Sequence, residues 1–206
     1  MEGMRKTRIA CMGNSVTAGY GLEDRETYSY PARLQALCGD RCDVRNYGVN
    51  GATLLRKTLM PYCSFRSFDE AILFRPDIVV IELGNNDVLP GRIDRQDGAF
   101  VNDYMELIHY IRGEVPGVAV YLTTLTPILW VDGLSGEYLQ EWTGRLQELI
   151  LEVSGLSGAP LIDICGPLRE AVRHSPGIIP DGIHPNRDGA RVIADAVYSA
   201  LGGRLP

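Results

Sequence analysis

The hydrophobic and polar positions along the chain divide it into alternating strand-like and helix-like segments. Short apolar runs, typical of buried strands, occupy residues 7–12, 42–48, 76–83, 118–124 and 159–164. Segments with helical spacing follow them at residues 29–37, 67–74, 97–113, 137–154 and 187–201. The run 76–83 is almost entirely apolar and β-branched, as a strand covered on both faces should be. This alternation predicts a parallel sheet with helices on both sides.

The predicted fold is an α/β domain that spans residues 1–206. It is a three-layer α/β/α sandwich with a five-stranded parallel sheet in the flavodoxin-like order 2-1-3-4-5. A chain of 206 residues is long enough for one substantial core, and it shows neither repeats nor an interdomain linker. Open parallel sheets bind ligands at the carboxyl ends of their strands. There the sequence is small and polar, with "GNSVTAGYG", "NYGVNGAT" and "GNND" after the first three strands.

Composition and charge narrow the class of protein. The net charge of −6 argues against nucleic acid or an anionic membrane surface as the partner. No apolar run approaches the ~18–20 residues that span a bilayer, and no signal peptide is visible. We therefore expect a cytoplasmic protein, or a periplasmic or secreted one if a leader precedes this sequence. The expected partner is a small-molecule or oligosaccharide substrate, and the oligomeric state has no signature.

The cysteines and histidines do not form a recognisable metal or disulfide pattern. Five scattered cysteines make a disulfide framework a poor interpretation. Cys38 and Cys42 have the spacing of a metal half-site, but no matching pair follows them, and structural zinc needs four ligands. We expect neither a metal nor an organic cofactor.

Three residues offer the parts of a nucleophilic site. Ser15 follows the first predicted strand, and its hydroxyl needs a base that is itself oriented by a third group. His184 lies in the tight turn "PDGIHPN", where Asp181 can fold back onto the imidazole. Each residue also has an ordinary explanation: Ser15 as a helix cap, His184 as a helix-entry residue and Asp181 as a turn former.

Acyl transfer also needs hydrogen-bond donors for a developing oxyanion. The backbone N–H of Ser15, at the start of a helix, is one candidate. Gly51 permits a close backbone approach after the second strand, and the Asn86 side chain follows the third. Gly51 and Asn86 equally fit ordinary turn positions.

With these residues in order, the sequence resembles the SGNH hydrolases, also called GDSL esterases or lipases. The resemblance spans nearly the whole chain. The family pattern has a serine in Gly-Asp-Ser, a glycine, Gly-x-Asn-Asp and Asp-x-x-His. The matching positions here are Gly13-Asn14-Ser15, Gly51, Gly84-Asn85-Asn86-Asp87 and Asp181-Gly182-Ile183-His184.

The resemblance implies a serine esterase in which Ser15 is the nucleophile, His184 the base and Asp181 its orienting acid. The oxyanion hole would consist of the Ser15 and Gly51 N–H groups and the Asn86 side chain. Gly48 is a rival for the glycine role, although the segment after Gly51 fits the family better. Activity would fall in acid as His184 takes up a proton.

One position departs from the family pattern, because Asn14 stands where the family usually has aspartate. An asparagine side chain can form a similar bond to the backbone. We therefore expect Asn14→Asp to retain activity.

The segments around residues 13–35 and 45–55 further resemble the sialate O-acetylesterase and acetyl-xylan-esterase-like branch. That resemblance implies removal of acetyl groups from sugars. Trp130 and Tyr62, with Phe65 and Phe68 nearby, are candidates to stack on a sugar or to line an acyl pocket. Lysophospholipase, thioesterase or broad short-chain carboxylesterase activity stays open, as does a catalytically silent homologue.

Other classes on a doubly wound sheet fit less well. A nucleotide- or flavin-binding module needs a glycine-rich phosphate loop, which the first loop lacks. A signalling domain phosphorylated on Asp87 would need acidic residues after the first strand, where the chain has Cys11, Met12 and Gly13. An α/β-hydrolase would carry a G-x-S-x-G elbow, and no serine has that context.

Overall fold

The computed structural model describes residues 5–90 and 97–205, and its centre is a parallel sheet. The strands are β1 (Thr7–Gly13), β2 (Cys42–Gly48), β3 (Ile78–Glu82), β4 (Ala119–Thr123) and β5 (Leu161–Ile162). They form one five-stranded sheet in the order β2-β1-β3-β4-β5, and every pair is parallel. The predicted strand order is therefore confirmed.

Helices connect the strands and cover the sheet. They are α1 (Ser15–Ala18), α2 (Arg25–Tyr28), α3 (Tyr30–Cys38), α4 (Arg66–Leu73), α5 (Asp97–Glu114), α6 (Gly136–Ser157), α7 (Cys165–His174) and α8 (Arg187–Leu201). Single 3-10 turns lie at Gly39–Arg41, Tyr62–Ser64, Asn85–Val88 and Pro176–Ile178. Among the described residues, none of these helices combines the length and apolar character needed to cross a bilayer.

Two hydrophobic layers lie on the two faces of the sheet. Alternate residues of β1 point to opposite faces, so that Met12 joins the layer beneath α4, α5 and α6 while Ile9 joins the layer beneath α3, α7 and α8. Both side chains are fully buried. Strands that are covered on both faces must be apolar on both faces. The two layers therefore confirm the three-layer α/β/α sandwich that the alternating pattern predicts.

The strand register brings several loops to one edge of the sheet. Gly13, the last residue of β1, is aligned with Gly48 at the end of β2 and with Glu82 at the end of β3. The segments that follow these three strands therefore begin side by side. Since the polar candidates lie in these segments, the register determines which of them can meet.

The last strand is much shorter than predicted. Residues 159–164 read as a strand, but only Leu161–Ile162 pair with β4. The chain then turns into α7, and the N–H groups of Ile164 and Cys165 donate to the Thr124 hydroxyl rather than to a ladder carbonyl. Helices α1 and α2 are too short to give a periodic signal, and α2 was not predicted.

The five cysteines form no disulfide with one another and join no cluster of metal-ligating side chains among the described residues. All five have free thiols, and burial raises the pKa of both Cys11 and Cys38 to about 12. Within residues 5–90 and 97–205, no three His, Cys, Asp or Glu side chains converge as metal ligands would.

Candidate active site

The turn between β1 and α1 presents Ser15 at the carboxyl edge of the sheet. Asn14 caps this short helix, because its side-chain oxygen accepts a hydrogen bond from the Val16 N–H at 2.9 Å. At the other end, the Tyr20 N–H donates to the Ser15 carbonyl at 2.9 Å. Ser15 is thus held from both sides, and its side chain is the polar group that faces the loop before α8.

The loop before α8 folds around the Asp181 carboxylate. One oxygen accepts the N–H groups of Ile183 and His184 at 3.0 and 2.7 Å, and the other lies 2.7 Å from His184 Nδ1. Because Asp181 and His184 are only three residues apart, the aspartate both stabilises the turn and contacts the imidazole.

The two turns meet through a hydrogen bond between residues that are far apart in the sequence. His184 Nε2 lies 2.8 Å from Ser15 Oγ, so that serine, imidazole and carboxylate form a continuous bonded row. Partial burial by itself raises the pKa of Asp181, but the hydrogen bonds from His184 and Ile183 outweigh it and hold that pKa below its usual value. Asp181 is consequently an anion at neutral pH, as a partner for an imidazolium must be.

The segment after β2 lies beside this row and carries the proposed glycine donor. Gly51 has a φ of 76°, a conformation that favours glycine, and its N–H has no acceptor among the described residues. The N–H of the rival, Gly48, already donates to Asn46 at 2.9 Å. Asn86 packs against the same segment, since its side-chain N–H donates to the Ala52 carbonyl at 2.9 Å.

Asp87 supports the Gly51 segment and does not face a ligand. Its side chain is fully buried, and its two oxygens accept the N–H groups of Leu54 and Leu55, both at 2.9 Å. A phosphoacceptor carboxylate has to be reachable by its phosphate donor, so this burial excludes the signalling-domain interpretation.

Trp130 lies next to the Asp181–His184 turn. Its carbonyl and indole ring face Gly182, and the Leu129 N–H donates to the Gly182 carbonyl at 2.7 Å. The Trp130 side chain remains 50% exposed. The structure therefore brings Trp130, a predicted substrate contact, next to the turn that carries Asp181 and His184, with part of its ring accessible to a ligand.

Tyr62 is a core residue, and the prediction that it stacks on a substrate is wrong. Its side chain is 1% exposed, and its hydroxyl donates to the Tyr47 carbonyl at 2.8 Å. Phe68 packs against it edge to face. These aromatics border a cavity of about 720 Å³ between α4 and α5, whose lining does not include Ser15, Asp181 or His184.

Two residues of this region were missed by sequence reasoning. The Tyr20 ring lies 4.6 Å from the His184 ring, centroid to centroid, and its side chain is 52% exposed. The sequence feature that could have pointed to Tyr20 is its position five residues after Ser15.

Glu82 ends the apolar strand β3 and is fully buried beneath the Ser15 turn. The sequence feature that could have pointed to Glu82 is that it is the lone acidic residue in an otherwise apolar strand.

Comparison with known proteins places this chain in a family. Residues 11–192 match the profile of the GDSL-like lipase/acylhydrolase family. An acetylxylan esterase of Xylanibacter ruminicola is 30% identical over 216 aligned residues, which cover 94% of this chain and 43% of the relative. The chain thus spans less than half the length of that relative.

Solved structures share the fold over nearly the whole chain. A catalytic mutant of Axe2, an acetylxylan esterase from Geobacillus stearothermophilus, has a TM-score of 0.74 at 17% identity and covers 98% of this chain and 97% of its own. The acetyl xylan esterase AlAXEase has a TM-score of 0.71 at 20% identity, with coverages of 94% and 99%. With a family profile that matches almost from end to end, this chain belongs to the GDSL-like lipase/acylhydrolase family.

Proposed function

We propose that the protein is a serine esterase that removes small acyl groups, above all acetyl, from carbohydrate esters. The observation that carries the proposal is the bonded row from Ser15 Oγ through the His184 ring to Asp181, with distances of 2.8 and 2.7 Å. Such a row activates a hydroxyl that is otherwise a weak nucleophile at neutral pH. Membership of an acylhydrolase family supports the reaction class.

Acylation begins when Ser15 Oγ forms a bond to the acyl carbonyl carbon and its proton passes to His184 Nε2. The carbonyl electron pair moves onto oxygen, where the N–H groups of Ser15 and Gly51 and the Asn86 amide stabilise the negative charge. When the intermediate collapses, the bond to the alcohol breaks and His184 returns the proton to the leaving oxygen. The acyl group remains on Ser15.

Deacylation repeats these steps with water. His184 takes a proton from a water molecule as that water attacks the acyl-serine carbonyl. The second intermediate then releases the carboxylic acid, and Ser15 Oγ regains its proton from His184. In both steps the anionic Asp181 stabilises the imidazolium and keeps Nδ1 protonated, so that Nε2 faces the serine.

The surroundings of the triad support a ring-bearing substrate. Trp130 and Tyr20 are each about half exposed and flank the turn that carries His184. Aromatic faces next to a polar site are suited to sugar rings, which have apolar C–H faces. The acetylxylan esterase relative supports the same substrate class.

The decisive experiment is Ser15→Ala, assayed with p-nitrophenyl acetate and by acetate release from acetylated xylan. We expect kcat/KM to fall by about 10³-fold or more on both substrates, because the acyl-enzyme cannot form. Circular dichroism should show an unchanged fold. Near-normal turnover in this variant would refute the nucleophile assignment.

The matched control is Ser199→Ala, an exposed serine on α8, which should retain full activity. A series of p-nitrophenyl esters from acetate to laurate tests the acyl group. We expect kcat/KM to decrease as the chain lengthens, and a preference for long chains would instead favour a lysophospholipase or thioesterase.

A further inference from the structure

Glu82 is a buried carboxyl group that the proposed reaction does not use. It is the last residue of β3, and its side chain is fully buried. One oxygen accepts the Asn14 side-chain N–H at 3.3 Å, and the other lies 3.3 Å from the Thr17 hydroxyl. The Glu82 backbone carbonyl also accepts the Asn14 N–H at 3.2 Å.

The two side chains that contact Glu82 lie on either side of Ser15. Asn14 precedes the serine and caps α1 through its bond to the Val16 N–H. Thr17 follows the serine within α1, and its hydroxyl lies 3.4 Å from the hydroxyl of Tyr30. A single carboxyl group therefore contacts both ends of the turn that presents the nucleophile.

No positive charge compensates Glu82 among the described residues, since no lysine, arginine or histidine is bonded to it. The titratable groups that interact with it are the phenols of Tyr30, from α3, and Tyr104, from α5. Cys11 and Asp87 interact in turn with these phenols. All four are neutral or anionic, so none of them favours a carboxylate.

A protonated Glu82 fits this environment better than an ionised one. A neutral carboxylic acid accepts the Asn14 side-chain N–H and can donate its own proton to the Thr17 hydroxyl, which can then donate to the Tyr30 hydroxyl 3.4 Å away. An ionised carboxylate without a cation would be strongly disfavoured in the same place. Burial accordingly raises the pKa of Glu82 to about 8, although hydrogen bonds that Asn14 and Thr17 would donate to the ionised form lower it in part.

We propose that Glu82 is a positioning residue that, as a neutral acid, holds Asn14 and Thr17 in place and thereby fixes the turn that carries Ser15. When Glu82 ionises, the buried charge must attract water or rearrange its partners, and the Ser15 turn loses its support. Ester hydrolysis therefore decreases on the alkaline side. The kinetic consequence rests on the proposed function, whereas the positional role does not.

The kinetic test compares wild type with Glu82→Gln, an isosteric variant that keeps a donor and an acceptor but cannot ionise. We expect the wild-type kcat/KM for p-nitrophenyl acetate to fall about tenfold between about pH 7 and pH 9, as one group loses its proton. Glu82→Gln should retain its activity over this range, and both proteins should lose activity in acid. The matched control is Glu152→Gln, which changes an exposed glutamate on α6 and should behave like wild type.

Thermal unfolding supplies a readout that does not depend on activity. In the unfolded chain Glu82 ionises at the ordinary glutamate pKa of 4.5, so between this value and about 8 the folded state holds a proton that the unfolded state has lost. Each rise in pH across this range destabilises wild type but not Glu82→Gln. We expect the Tm of wild type to fall relative to the variant by more than about 5 °C between about pH 5 and pH 9.

Asn14→Asp is a second variant that keeps the proposal falsifiable if Glu82→Gln does not fold. A carboxylate at this position accepts the Glu82 proton in a hydrogen bond and disfavours a second negative charge. We expect activity at neutral pH to persist and the alkaline decrease to move up by about one pH unit. Parallel thermal curves for wild type and Glu82→Gln, or an alkaline decrease that is unaltered in both variants, would overturn the proposal.

The outcomes separate the two proposals. If Ser15→Ala stayed active, the proposed function would fail. The thermal test would still show whether Glu82 is protonated in the folded protein. If Ser15→Ala were inactive and the Glu82 variants matched wild type, only the positioning role would fail.

Discussion

At the scale of single residues, the candidate site depends on a few short polar contacts that each order the next. Asp181 accepts two backbone N–H groups and faces the imidazole, so the same carboxylate shapes the turn and contacts the His184 ring. His184 in turn faces Ser15 Oγ. Because hydrogen bonds to an anion are stronger than those between neutral groups, the contacts of Asp181 are expected to be the firmest in this row.

Asp181→Asn tests the orienting role. An amide keeps the size of the carboxylate but supplies no charge to stabilise an imidazolium, and it can hold the wrong ring tautomer. We expect kcat to fall by about 10²–10⁴-fold with little change in KM, measured with p-nitrophenyl acetate. Asp188→Asn, in the first turn of α8, is the control and should leave kcat unchanged. A kcat within about threefold of wild type in Asp181→Asn would remove Asp181 from the mechanism.

At the scale of elements, the site is an assembly of loops that begin or end at one edge of the sheet. The strand-to-helix turn after β1 supplies Ser15, the loop after β2 supplies Gly51, and the 3-10 turn after β3 supplies Asn86. The loop before α8 closes the arrangement. Its geometry requires Gly182, which has a φ of 80° and faces the Trp130 ring.

Gly182→Ala tests this loop. A Cβ atom at this position would lie 2.6–2.8 Å from the Trp130 carbonyl and ring, and the positive φ adds backbone strain. We expect a loss of about 1–3 kcal/mol in the free energy of unfolding and a fall in kcat/KM of more than about tenfold. Gly177→Ala, in the same loop region with open space around it, should change neither quantity. Equal behaviour of the two variants would show that Trp130 does not constrain the turn.

At the scale of the whole molecule, the core and the reactive edge are separate regions. The two apolar layers pack the sheet against its helices, whereas Ser15, Asp181 and His184 belong to segments at the carboxyl edge of the sheet. Leu146, on α6, is fully buried in one layer, whereas Leu156 on the same helix is 62% exposed. We therefore expect a substitution in an apolar layer to alter stability with little effect on the proposed reaction.

A matched pair of variants, Leu146→Ala and Leu156→Ala, tests whether the core and the candidate site can be changed separately. The first removes buried methyl groups and leaves a cavity, so we expect a loss of about 2–5 kcal/mol in the free energy of unfolding. The second should change it by less than about 0.5 kcal/mol. Chemical denaturation measures both. The kcat/KM of the folded Leu146→Ala protein should stay within about threefold of wild type, and a larger loss would link the core directly to the site.

Residue types in sequence order predict which groups the candidate site contains, but they do not predict which aromatic side chains are buried and which are exposed. Tyr62 was placed near a substrate because it is aromatic and lies in a strand-end segment, yet it is buried with its hydroxyl bonded to Tyr47. Tyr20 was overlooked, although it is exposed beside His184. An aromatic side chain serves equally in a core and on a surface, so only packing separates the two.

The sequence by itself determined the alternation of strands and helices, because apolar periodicity reflects which faces each segment must bury. It also determined the local Asp181–His184 turn, whose residues are close neighbours along the chain. The tertiary structure alone decided that Ser15 reaches His184 and that Glu82 is enclosed beneath the Ser15 turn, with no cation bonded to it among the described residues. These are contacts between distant segments, and they depend on strand register and side-chain packing, which no local pattern encodes.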